Sequence, residues 1–158
     1  MTRYDDLGGP LDLLFGLPLH PLVVHSAVVL VPLVAFAAIA SVILPKFFTR
    51  YSKAILLLRV IAQISLFLAK GSGEPFEERL GKEVERHADF GEVAPLAFIP
   101  LLALLFIKWW LERLDKKNKS LQSLLSILLI AAAILALVYI FLTGHSGAES
   151  VWGWVKDR

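Results

Sequence analysis

Cysteine is absent from the sequence, and its one methionine is Met1. The first absence excludes disulfides, thiolate zinc sites, iron–sulfur clusters and thiolate-ligated haem. The second argues against a thioether copper site. There is also no GxSxG elbow, HExxH helix or phosphate loop. Gly71, Gly73 and Gly81 follow no strand and so suggest no nucleotide site. Charge is nearly balanced, 16 Lys and Arg against 14 Asp and Glu, and the basic residues cluster at loops. Nucleic-acid binding needs a basic stripe, so no nucleic-acid partner is expected. The opening residues are acidic rather than basic and lack a small-residue cleavage site, so no cleaved signal peptide is expected.

What the chain has in excess is apolar surface. Hydrophobic residues make up 57% of its 158 residues, and mean hydropathy is +0.69. A soluble domain of this size cannot bury that much; a bilayer accommodates it. Apolar runs predict four membrane spans at about 19–44, 54–70, 92–111 and 121–143. The second is the weakest, being short and carrying Arg59 and Gln63. Short connections favour an all-α, four-transmembrane-helix up-down bundle as a single domain. Residues 1–18, with Leu11, Leu13, Leu14, Phe15 and Leu17, form an apolar patch expected to lie as an interfacial segment on the membrane; a loosely ordered tail is the alternative. No internal repeat stands out.

Lys46, Arg50 and Lys53 follow the first span, and Lys108, Arg113, Lys116, Lys117 and Lys119 follow the third. The positive-inside rule places both groups in the cytoplasm. Both termini, the loop at 71–91 and the tail at 144–158 are then extracytoplasmic, as expected of a bacterial inner-membrane protein. His20-Pro21 opens the first span and Pro45 closes it. Gly71 and Gly73 are expected to break the second helix, and Gly144 with Gly147 to end the fourth. Residues 75–90 are helix-compatible through i,i+3 and i,i+4 charge pairs.

Four metal-capable side chains fall at one depth. Counted from Leu44, Ala54, Lys108 and Leu124, His25, Glu74, His87 and His145 lie 19, 20, 21 and 21 residues along their segments. At about 1.5 Å per residue all four stand roughly 28–32 Å up, at the far edge of a hydrocarbon core about 30 Å thick.

Each has a simpler alternative. His25 suits a neutral imidazole bonded to a serine such as Ser26, or to a carbonyl. His145 suits an ordinary helix terminus, with Ser146 orienting the ring. His87 suits a surface pair with Glu83, and Glu92 begins the next span. Glu77 and Glu78 suit a solvated charged face offset by Arg79, Lys82 and Arg86, which leaves Glu74 the better ligand. His20 is about 140° round the helix from His25, which makes it interfacial or a group that supports the ligands. The supporting set is then His20, Ser26, Glu78, Glu83, Glu92 and Ser146, groups that orient ligating side chains. Arg59 is expected to snorkel to the cytoplasmic interface, with a polar channel as the alternative.

The segments GLPLHPLVVH (Gly16–His25), SGEPFEERLG (Ser72–Gly81), VERHADFGE (Val84–Glu92) and GHSGAESVWG (Gly144–Gly153) occur in this order. On them the chain resembles a bacterial membrane-protein family catalogued as domain of unknown function 2231. Many relatives carry Phe-Pro where this chain has Ser26-Ala27. The resemblance covers essentially the whole chain. It implies a four-span inner-membrane protein with histidines grouped near one face, and it supplies no activity.

Three functional readings follow. One is cofactor binding with a redox role. A bare ion on His25, Glu74, His87 and His145 would be zinc, iron, manganese or copper(II); a b-type haem would take His25 and His145 as axial ligands. The ion is preferred, because haem leaves Glu74 and His87 without a role. In an enzyme, the ion would activate water with Glu78 or Glu92 as base. The second reading is an accessory or assembly subunit of a larger membrane complex, or a homo-oligomer, with the lipid bilayer as surrounding partner. The third, a transporter or channel, ranks last, since four spans leave little room for a pathway.

Overall fold

The computed structural model describes residues 11–81, 84–114 and 118–157. The expectations for Lys82, Glu83, Lys116, Lys117 and the first ten residues lie outside these. A two-stranded hairpin, β1 (Leu13–Leu14) with β2 (Leu17–Pro18), leads into four helices. These are α1 (Leu19–Ile43), α2 (Pro45–Leu80), α3 (Glu85–Arg113) and α4 (Lys119–Trp152), followed by a 3-10 turn at Gly153–Asp157. All four helices are long and apolar enough to cross a membrane. The protein is an all-α membrane bundle.

Each helix packs on its neighbours in sequence, and α4 returns to α1 to close the ring. The seam is made of small and branched residues at helical spacing. Val31, Ala35 and Ala38 of α1 meet Ile55, Ala62 and Leu66 of α2, Phe98, Leu101 and Leu105 of α3, and Leu129, Ala133 and Ala136 of α4. Small side chains let membrane helices approach closely. The opposite faces, including Leu33, Phe36, Ile64 and Phe141, stay exposed and suit lipid.

The helices overrun the expected boundaries. Pro45 occupies the first turn of α2 directly after Leu44, so the stretch expected as a cytoplasmic loop at 45–53 is helical. The predicted glycine breaks do not occur: α2 continues through Gly71 and Gly73, and α4 through Gly144 and Gly147. A helical glycine costs about 1 kcal/mol against alanine, a penalty that tertiary packing readily overrides. Gly81 does end a helix, capping α2 with a left-handed φ of 61°. At the start of α4, Asn118 accepts from the Leu121 N–H at 3.1 Å, a typical N-cap.

The end of the bundle where the chain enters α1 and leaves α4 is held by an ion pair. Arg79 Nε donates to Asp12 Oδ1 at 2.5 Å, and its Nη2 donates to Oδ2. These bonds, and the Arg79 charge, hold the Asp12 carboxyl below its ordinary value against the opposing effect of burial. Leu11 packs over Gly71, where an added Cβ would lie 2.9 Å from its side chain.

Candidate site at the His20 and His87 end of the bundle

Two histidines meet inside this end. The His20 and His87 rings lie 6.0 Å apart between centres and stand at 89° to each other. His20 stacks on Phe76 at 5.5 Å. Its Nδ1 donates to the Ala69 carbonyl on α2 at 2.9 Å, and the Ser72 hydroxyl lies 3.3 Å from the same nitrogen. His87 Nδ1 donates to the Thr143 carbonyl on α4, also at 2.9 Å. A carbonyl only accepts, so each ring donates from Nδ1, and in the neutral form it is Nε2 that carries the lone pair.

The two arrangements use one device. In a helix, the side chains one turn on cover a carbonyl. Here Gly73 follows Ala69 by four residues, and Gly147 follows Thr143 by four, so both carbonyls are open to the neighbouring helix. Serines precede both glycines, and both are buried; Ser72 donates to the Ala69 carbonyl at 3.2 Å and Ser146 to that of Thr143 at 3.0 Å. The pattern extends inward. Ala27 of α1 and Ala94 of α3 both line the cavity at the same distance along the chain from their histidines, as do Leu66 and Ile140 from their glycines. The hairpins α1–α2 and α3–α4 thus present matching positions to the cavity.

Around the dyad lies a cavity of about 620 Å³. Lys70, Glu74, Glu77 and Glu92 line its polar rim, where Lys70 pairs with Glu92 at 3.1 Å. The other expected ligands are elsewhere. His25 is exposed on α1, bonded through Nδ1 to the Pro21 carbonyl of its own helix at 2.5 Å. His145 is exposed on α4 and stacks on Phe141 of the same helix at 5.7 Å. Neither lines the cavity, so the structure does not gather His25, Glu74, His87 and His145 at one point. Helical geometry explains this. At about 100° per residue, turning Gly147 toward His87 turns His145 away, and turning His20 inward turns His25 outward. Among the described residues no three His, Asp or Glu side chains surround a common metal position.

The remaining candidates divide similarly. Ser26 bonds to Ser65 of α2 at 2.8 Å, joining α1 to α2. Glu78 is exposed and away from the cavity wall. Gly73 and Gly147, expected to break or end their helices, instead lie within them beside the carbonyls that bond the two histidines. The signal for them was present in the two Ser-Gly pairs, each on a helix that follows a histidine-bearing one.

Arg59 corrects another expectation. It does not snorkel but is fully buried, because α3 offers it acceptors. Its Nη2 donates to Gln63 Oε1 at 3.0 Å and to the Phe98 carbonyl, and its guanidinium lies 3.3 Å over the Phe98 ring centre. Gln63 in turn donates to the Pro95 carbonyl at 3.0 Å. Arg59 Nε and Nη1 find no acceptor among the described residues.

The model of a family described as "Predicted membrane protein (DUF2231)" matches residues 16–155. No curated protein and no solved structure matches the chain.

Proposed function

The chain belongs to the DUF2231 family of predicted membrane proteins, and from the geometry of its two inward histidines we propose that it binds a metal ion between His20 and His87. The observation that carries this reading is the pair of imidazoles, each fixed by a carbonyl so that Nε2 is free to ligate. Such support from a backbone acceptor is usual for metal-bound histidine. An ion about 2.0–2.1 Å from each Nε2 stands about 3.2 Å from each ring centre, so two imidazoles on one ion have centres roughly 5–6.5 Å apart; the observed 6.0 Å lies in that range. Glu74 and Glu77 on the cavity wall supply carboxylate charge. Nitrogen and oxygen donors suit zinc, iron, manganese or copper(II). The positive-inside rule puts Lys46, Arg50, Lys53 and Arg113 in the cytoplasm, and the site on the outer side of the inner membrane.

The test is titration of the detergent-purified protein, stripped of metal, with Zn²⁺ and Co²⁺ by calorimetry and elemental analysis. One ion per chain is expected for the wild type, with the site lost in His20→Ala and in His87→Ala. Absence of stoichiometric binding, or survival of binding in both variants, refutes the proposal.

A further inference from the structure

An ion does not explain the cavity. A bound ion with a few waters, each about 30 Å³, occupies a small part of about 620 Å³. The whole volume falls in the range of about 300–1,000 Å³ typical of small-molecule sites. Its lining is graded. The polar groups stand at the rim beside the two histidines. Deeper, the walls are Val24, Ala27, Val28, Leu66, Ala94 and Ile140. From His20 to Val28 this apolar part descends about 12 Å along α1, into the depth of the hydrocarbon core. Val28 lines the chamber and is 45% exposed, and the neighbouring Val29 of α1 is exposed as well.

We infer that the chamber takes a lipid-soluble amphiphile, its hydrocarbon tail among Val24, Ala27, Leu66, Ala94 and Ile140 and its hydroxyl head at the His20–His87 dyad. A tail is selected by the apolar walls at this depth. A head hydroxyl is selected by what the dyad presents. Both free imidazole nitrogens are acceptors, and an ion held there offers an open position to an oxygen. Only the placing of the head on an ion rests on the metal reading; the tail position does not. Phenolic and glycerol-type heads share this hydroxyl chemistry.

The experiment is photolabelling of the full wild-type chain in detergent with para-dodecylphenol bearing a diazirine on the tail carbons nearest the ring. Labelled peptides are mapped with and without Zn²⁺. The expected labels fall on Ala27, Val28, Leu66, Ala94 or Ile140 and are displaced by excess unlabelled amphiphile. Displacement by para-dodecylphenol but not by monolaurin identifies a phenolic ligand. Displacement by monolaurin as well identifies a general lipid hydroxyl. Displacement by neither, or label confined to outward residues such as Leu33 and Phe36, overturns the inference. Chamber labelling of the wild type, displaced as expected, with Zn²⁺ binding absent would sink the metal reading alone; labelling unchanged in His20→Ala/His87→Ala protein would overturn the placing of the head at the dyad.

Discussion

A methyl group placed on Gly147 would lie 3.0 Å from His87 Nδ1 and 3.1 Å from its Cε1. At Gly73 the same addition would sit an ordinary 3.6 Å from His20 Cε1. The two halves of the site are built alike but fitted with different tolerance. Gly147→Ala should push His87 off the Thr143 carbonyl and weaken Zn²⁺ binding by about 10–100-fold, the usual cost of losing such an orienting bond. Gly73→Ala should leave affinity unchanged and raise helix stability by up to about 1 kcal/mol. Calorimetric titration of both variants decides the matter; equal affinities would count against the role given to Gly147.

His25 and His145 make their contacts within their own helices and face outward. Alanine at either position should keep the Zn²⁺ stoichiometry and change stability by no more than about 0.5 kcal/mol. Loss of the ion in these variants, with His20→Ala retaining it, would return the site to the residues that depth alone selects.

The Asp12–Arg79 pair fastens the hairpin to α2, and its response to acid has a definite sign. The Asp12 carboxyl titrates below its ordinary value because Arg79 bonds to its charged form. The fastening is therefore fully present above the ordinary aspartate value, about 3.9. It is lost only as pH falls through the depressed one. Hydrogen exchange of residues 12–19 should be flat from neutral pH down to about 5 after correction for the intrinsic rate, and Asp12→Ala should speed it at every pH. An acceleration setting in near pH 6 would implicate another group.

Arg59 is a buried cation with two N–H groups lacking acceptors among the described residues. A buried charge is costly unless it is paired and fully hydrogen-bonded, so an apolar side chain of similar volume here removes that cost along with the bonds to Gln63 and Phe98. Arg59→Met is expected to raise the melting temperature or leave it in place. Gln63→Leu keeps the charge and removes one of its acceptors, and should destabilise by about 1–3 kcal/mol. Melting of the detergent-solubilised variants checks both; a large loss of stability in Arg59→Met would mean that the guanidinium is needed.

The four helices were legible because hydropathy over twenty residues averages out local exceptions, Arg59 included. Their ends were not, because Gly71, Gly73, Gly144 and Gly147 signal a break when isolated and a close contact when a neighbouring helix is present. The site was legible in part. Depth along the chain brought His87 and Glu74 to the level of the cavity that both line, since rise per residue is fixed. Which way a ring points depends on which neighbour lies alongside, and helix order is a tertiary fact. His20 was set aside for its angle to His25 when it is His25 that points away. The inference that these two cannot share a centre was right, and choosing between them needed α2 and its Ala69 carbonyl.

The ring closure of α4 onto α1 also sets an order of events during synthesis. His20 leaves the ribosome early, yet its partner ring waits for α3, and His87 in turn waits for the Thr143 carbonyl near the end of the chain. A nascent chain therefore holds an unpaired histidine and no chamber until its last helix is in place. The chamber is a property of the finished protein, and a product truncated before α4 would carry most of the sequence and no Thr143 carbonyl to hold His87.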